Sequence, residues 1–255
     1  MIPAEHAAHA SVADLRVAGP LGPPVLAVTG MAKEARIASG PGVTAIGAGG
    51  NTQRLRALLA DRLEPGCRAV VSIGIAGGLD PGLVPGDIVV ASGVVADRRR
   101  FAVDPVLAEA LLARLAKPGV RAVAGDLAGV DTAVLSLDGK ADLRAGTNAL
   151  AVDMESHAAA IFAERHALPF AAIRVVCDPA HRALPAFAAK ALKPDGEPDI
   201  RVILAALARD PGKLSAIIRL ARDSSAAFSA LARARALLGA GLGMPAAAEP
   251  LHKIA

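Results

Sequence analysis

Short apolar runs alternate with amphipathic stretches through the first 180 residues. Residues 25–29, 43–46, 67–75, 88–95, 120–130, 149–152 and 170–177 read as strands, and several are unbroken apolar runs of the kind buried on both faces. Residues 52–63 place Leu55, Leu58, Leu59 and Leu63 at helical spacing, and 105–117 do the same with Leu107, Leu111, Leu112 and Leu115. In 156–166, Ala158, Ile161 and Phe162 share a helical face. The segment 30–36 leaves the first strand as a helix or tight turn, and a loop and helix separate 120–130 from 149–152. This alternation predicts an α/β fold. After residue 178 the pattern changes. Residues 181–198 form a Pro-punctuated connection, and three helices are expected over 199–209, 213–222 and 224–238. Their apolar stripes are Ile200, Ile203, Leu204 and Leu207, then Leu214, Ile217, Ile218 and Ala221. Residues 1–23 and the stretch from Gly239 are expected to be loose, and no internal repeat is visible.

A length of 255 residues suits one large α/β domain or two small ones. Hydrophobic residues make up 53% of the chain, ample for a core, yet there is no Trp, no Tyr and only five Phe. The net charge of +4 is mildly basic, and no aromatic-studded basic strand accompanies it, so nucleic acid is not indicated as a partner. Cys67 and Cys177 are isolated, without a CxxC or a nearby His pair. No disulfide framework or metal site is therefore expected, and a reduced cytoplasmic protein is the expectation. The opening MIPAEHAAHASVADLR lacks a basic region followed by an apolar one, so no signal peptide is expected. No apolar run reaches the roughly 18 residues of a membrane span.

The polar residues with most to say lie in 149–180, ALAVDMESHAAAIFAERHALPFAAIRVVCDPA. Asp153, Met154 and Glu155 end an apolar run, a helix follows, and Arg174, Val176 and Asp178 share one face of the next strand. Carboxylates before a helix, with an Arg/Asp pair at the end of the next strand, point to a polar site at the carboxyl edge of a sheet. GAGGNT (47–52) sits between a strand and a helix, but Thr52 stands at the third glycine position of a dinucleotide fingerprint and no acidic residue follows at the required distance. What remains is a tight turn, or a helix N-terminus contacting an anion or a sugar hydroxyl. In GIAGGLDPGLVPGDIVV (74–90), Gly77 and Gly78 follow a buried strand and let a ligand approach the backbone.

These segments together carry a resemblance. IGIAGGLDPGLVPGDIVV is similar to the G-S-A-G-G-L…GDIVV segment of the nucleoside phosphorylase superfamily, which includes purine nucleoside phosphorylases and methylthioadenosine/adenosylhomocysteine nucleosidases. AVDMESHAAA resembles its V-E-M-E-A-x-A segment and IRVVCD its V-R-x-x-S-D segment, in the same order and over roughly 25–180. TGMAKEARIASG and the basic C-terminal helices further resemble the hopanoid-associated phosphorylase branch, whose members are thought to remove adenine from adenosylhopane. The resemblance implies one domain over 1–255, a three-layer α/β/α fold with a central mixed, mostly parallel sheet. The core would span about 24–180, and extra C-terminal helices about 198–240. It implies no metal and no organic cofactor, with inorganic phosphate as a possible co-substrate, and a homo-oligomer.

Breaking a C1′–N9 bond builds positive charge on the ribose and negative charge on the departing purine. A protonated carboxyl group at purine N7 eases departure. Asp178 matches the family aspartate with that role, and its place at the end of an apolar strand would raise its pKa; a turn aspartate before Pro179 is the plain alternative. Glu155 matches the glutamate that binds ribose hydroxyls, and Met154 would lie against the sugar or pack in the core. Asp153 replaces the family's first glutamate and takes a supporting role. Glu34 matches the glutamate with which family nucleosidases activate water, or is a solvated glutamate at a helix start. A buried Arg174 needs an anionic partner, which could be the nucleophile, Glu34 or Glu155. Ile75 stands where the family has a serine, which leaves the nucleophile open. Arg36, Asn51 and Thr52 are the candidate phosphate contacts, while Arg98, Arg99 and Arg100 read as a solvated loop. The expected reaction is release of adenine from a nucleoside, by phosphorolysis of adenosylhopane, with a hydrolytic methylthioadenosine/adenosylhomocysteine nucleosidase and a non-catalytic nucleoside- or lipid-binding module as alternatives. The C-terminal helices either cover the sheet or offer an apolar surface, flanked by arginine, to a lipid-like 5′ tail or to a membrane.

Overall fold

The computed structural model describes residues 22–62, 66–185, 193 and 199–245. Its centre is one eight-stranded mixed sheet. β1 (Val25–Thr29) pairs in parallel with β2 (Val43–Gly47) and with β3 (Ala69–Gly78). β8 (Phe170–Asp178) lies parallel to β3 and antiparallel to β4 (Ile88–Ala96). β6 (Ala122–Gly129) then joins β4 in parallel, and β7 (Ala151–Asp153) joins β6 in parallel and β3 antiparallel. The pairings β3–β8–β4–β6–β7–β3 therefore close on themselves, while β1 and β2 extend as a wing. Strands β1 and β8 are buried along their whole length, Arg174 and Asp178 of β8 included.

Helices flank the sheet in two groups. α2 (Thr52–Ala60) packs on α5 (Ser156–Arg165), which lies against β3, β4, β6 and β8. α1 (Ala32–Ala38) and α3 (Pro105–Leu115) pack on α7 (Leu214–Leu238), which covers β8 and β3. The expected mixed sheet between helices is thus the observed architecture. α4 (Leu137–Thr147) bridges β6 and β7 in sequence, and α6 (Ile200–Arg209) precedes α7.

Several local expectations are corrected. Leu55 and Leu59 are buried in α2 but Leu58 is exposed, Leu112 is only half-buried in α3, and Leu63 lies outside the described residues. Ile161 is exposed in α5, because the helix packs by its small residues: Ala158, Ala159, Ala160 and Ala163 meet the strands with Phe162. Residues 97–100 are not all loop. Asp97 and Arg98 both take positive φ and close a two-residue turn, and Arg99–Ala102 forms β5, antiparallel to β4. Arg100 pairs with Asp126, and Arg99 with Glu164.

The helices expected over 213–222 and 224–238 are one helix of 25 residues, since nothing between Leu214 and Leu238 is Pro or Gly. Its buried positions, Ala227, Leu231, Ala234 and Leu238, all fall in its C-terminal half. Over 239–245 the chain is not loose: Leu242 and Met244 are buried, and Gly241 N–H donates to Pro41 O at 2.9 Å, while the rest of that stretch lies outside the described residues. The loose stretch expected over 1–23 falls outside the described residues but for 22 and 23, as do most of 181–198 and the side chains of Ile200, Ile203 and Leu204. Among the described residues, no helix is long and apolar enough to cross a membrane.

Candidate active site

The carboxyl ends of β1, β3 and β8 and the start of α5 converge on a buried charge cluster. Arg174 is fully buried on β8. Its Nη2 donates to Ser72 Oγ at 2.6 Å and to Asp153 Oδ1 at 3.2 Å, and stands 3.3 Å from Glu155 Oε2. Nε and Nη1 have no partner among the described residues. Asp153 Oδ1 also accepts the N–H groups of Glu155 at 2.8 Å and Ser156 at 2.6 Å, so it ties Arg174 to the first turn of α5.

Glu34, on the first turn of α1, is buried and folds back on its own helix start. Oε2 accepts from Gly30 N at 2.8 Å and Met31 N at 2.7 Å, while Oε1 accepts from Ile75 N at 2.7 Å. It is therefore not a solvated helix-start glutamate, although it does serve the helix start. Ile75 holds Glu34 through its backbone N–H, so this contact does not need the side chain that differs from the family's serine. β3 can pass the cluster because residue 74 is glycine. A Cβ there would lie 2.5 Å from both Arg174 Nη1 and Glu34 Oε1. Gly30 plays the same part for Glu155, whose Oε1 would meet a Cβ at 2.6 Å.

Burial dominates the protonation of the two glutamates. It raises Glu34 above the usual carboxylate range against the pull of Arg174 and three backbone N–H groups. Glu155 is pushed up to about 8 by burial, opposed by Arg174 and reinforced by Asp153 and Glu34. Asp178 ends β8, also buried, with its carboxyl flat against β3: a Cβ on Gly77 would lie 3.3 Å from Oδ2. Burial raises its pKa, and Lys140 opposes the rise. Gly77 lies three residues beyond Gly74 on β3, so the glutamates and Asp178 stand about 10 Å apart along the strand.

Two partners escaped the reading of the sequence. Lys140 of α4, 1% exposed, donates to Asp178 Oδ2 at 2.5 Å, Pro179 O at 2.9 Å and Arg182 O at 3.0 Å. Ser72 holds Arg174. A lone hydroxyl within the buried run AVVSIG was a usable signal, because such a group must find a partner. Lys140 offered less: its helix also holds Leu137 and Leu143, yet Lys140 is the residue it buries.

The remaining candidates are scattered around this core. Met154 is half-buried between Asp153 and Glu155. Gly78 abuts the backbone of Asp178, whose O would lie 3.2 Å from a Cβ there. Asn51 caps α2, accepting from Arg54 N at 2.8 Å, and Thr52 Oγ1 donates to Asp131 O at 3.3 Å and Met154 O at 3.4 Å. Arg36 is exposed two residues beyond Glu34 and so on another face of α1. No cationic group other than Arg174 contacts Glu34 or Glu155 among the described residues. Nor is any set of three His, Cys, Asp or Glu among them placed to hold a metal ion.

The profile of the Phosphorylase superfamily matches residues 15–193, and the chain belongs to that family. A 5′-methylthioadenosine/S-adenosylhomocysteine nucleosidase of Mycobacterium tuberculosis is 58% identical over 45 residues. That stretch covers 18% of this chain and only 17% of the curated relative. The nucleosidase of the same description from Neisseria meningitidis, solved with methylthio-immucillin-A, aligns with a TM-score of 0.57 at 22% identity, over 83% of this chain and 97% of that one. The corresponding nucleosidase from Colwellia psychrerythraea, solved with adenine, aligns with a TM-score of 0.55 at 23% identity, over 61% and 82%. The expected superfamily and fold are borne out.

Proposed function

We propose that this protein hydrolyses the N-glycosidic bond of an adenine nucleoside. The observation that carries the reading is the charge of the cluster: three carboxylates, Glu34, Asp153 and Glu155, surround the single guanidinium of Arg174. Phosphorolysis needs converging cations and N–H donors for a phosphate dianion. This cluster instead offers one guanidinium already shared among carboxylates, so among the described residues it lacks the converging cations a phosphate dianion needs and suits a neutral water. Glu34, ionised, takes a proton from the attacking water, and Arg174 Nη1, beside Glu34 Oε1, holds that water in place. Glu155 accepts the ribose hydroxyls. Electrons of the C1′–N9 bond pass to the purine while Asp178 gives its proton to N7, and adenine departs neutral. The relatives described as nucleosidases, one of them solved with adenine, support the same chemistry. Adenine release followed by chromatography with and without phosphate tests it. Equal release in both is expected, and release that depends on phosphate would replace water by phosphate as the nucleophile.

A second reading concerns the 5′ group. Ser224 of α7 touches Cys177 beside Asp178, with Oγ and Sγ 3.5 Å apart. The N-terminal half of that helix runs on past the site with Leu214 and Ile218 each 49% exposed. This apolar edge supports a substrate with an extended apolar 5′ substituent, as adenosylhopane would have. Lys213, Arg219 and Arg222 on the same half suit an approach to an anionic membrane surface that holds such a substrate.

A further inference from the structure

We propose that Lys140 is a positioning residue for Asp178: it fixes which carboxyl oxygen faces the substrate and holds Asp178 ionised until a purine binds. The inference rests on the reading of Asp178 as the group at N7. Three observations carry it. Lys140 is buried, and its three ammonium protons are all used, on Asp178 Oδ2, Pro179 O and Arg182 O. Asp178 lies pressed against glycine 77, so its plane is set from one side by β3 and from the other by α4. The loop that follows β8 is tied down by the same ammonium, and Leu184 N–H is bonded to Leu135 O at 2.9 Å, so the carboxyl, the loop and the start of α4 move together.

The other charged groups near Asp178 do not replace this pairing. Asp223 of α7 faces it as a like charge and is itself paired with Arg182, and the thiol of Cys177 adds no charge at neutral pH because burial pushes it up to about 11. β3 presents only Gly77 and Gly78. Lys140 is thus the one cation in direct contact with Asp178 among the described residues. With Oδ2 held, Oδ1 is left for purine N7. When a purine occupies the site, Asp178 takes a proton from solvent and donates it to N7 as the C1′–N9 bond breaks. The carboxylate left behind is held by Lys140 until the next proton arrives. A lysine that merely stapled the loop would leave this proton cycle unchanged.

The test joins the pH dependence of adenine release with proton uptake on adenine binding, measured by titration calorimetry in buffers of different ionisation enthalpy. Wild-type protein is expected to take up close to one proton per adenine near pH 7.5. Lys140→Met, neutral and of similar length, should take up less than half of that, and the alkaline limb of its kcat profile should move up by one pH unit or more. Lys140→Arg should keep the wild-type limb. A folded Lys140→Met protein with the wild-type limb and wild-type uptake overturns the proposal. Should that variant not fold by circular dichroism, the wild-type uptake decides, and its absence between pH 7 and 8 overturns it equally. Asp178→Asn separates the two layers: it should lose at least 100-fold in kcat and all proton uptake, whereas near-normal turnover removes the acid assignment itself.

Discussion

Arg174 carries one positive charge among Glu34, Asp153 and Glu155, and that imbalance sets how the site responds to pH. If all three carboxylates ionise, two negative charges stay buried without a counter-charge, so the cluster retains protons into the neutral range. The folded protein then binds protons more tightly than the unfolded chain does. Stability from Glu34 and Glu155 is in full force below the ordinary carboxylate value of 4.5, and it is lost as pH rises towards the folded value, about 8 for Glu155. Thermal melts from pH 5 to pH 9 are expected to fall with pH. Glu155→Gln should flatten that slope and melt above wild type at pH 8.5, and an unchanged slope would mean that the glutamate is already ionised in the fold. Glu34→Gln keeps the shape but cannot take a proton, and it has one acceptor oxygen where both oxygens of Glu34 now accept N–H groups. A loss of about 10²–10⁴ in kcat is expected, with the protein folded by circular dichroism and its melting temperature somewhat lowered. Comparable turnover would take the base assignment away from Glu34.

At the scale of elements, β3 makes the site possible by having no side chain at Gly74. Gly74→Ala would drive a methyl to 2.5 Å from both Arg174 Nη1 and Glu34 Oε1. Relief requires moving either a salt-bridged guanidinium or a carboxylate held by three N–H groups. A loss of about 1–3 kcal/mol in denaturant unfolding is expected, together with a severe loss of adenine release. An intact melting curve with wild-type activity would show that the cluster yields more freely than its hydrogen bonds suggest. This element also shows what the sequence allowed to be read. The strand run and the polar residues at its neighbours' ends were visible, because apolar runs and carboxylates at strand termini follow period and burial. Arg174 declared a need for a partner, but its partners come from α5, β3 and β7, and pairing over such separations leaves no periodic trace. Lys140 was hidden for that reason: a helix between two strands says nothing about which distant strand end its one buried cation will meet. α7 runs unbroken through the polar residues Arg222 to Ser225, because a polar stretch without Gly or Pro interrupts an apolar stripe but not a helix.

For the whole molecule, the telling asymmetry is in α7. Its C-terminal half is anchored on the sheet through Ala227, Leu231, Ala234 and Leu238, while its N-terminal half buries nothing completely. Ser224 marks the level of Asp178, so at 1.5 Å per residue Ile218 and Leu214 stand about 9 and 15 Å further along the helix axis. That is the reach of a long 5′ substituent and well beyond a methylthio group. Each side chain is about half exposed, so covering both with an apolar tail is worth about 2 kcal/mol, roughly a 30-fold change in affinity. The double variant Leu214→Asp/Ile218→Asp should therefore raise KM for an adenosine bearing a long alkyl 5′ tail by about 10- to 100-fold, with kcat little changed. Methylthioadenosine, too short to reach the helix, should keep its wild-type KM, because neither residue touches the charge cluster. Equal effects on both substrates would place the change in the fold, not in tail binding. Unchanged kinetics for the tailed substrate would leave this half of α7 without a part in substrate choice.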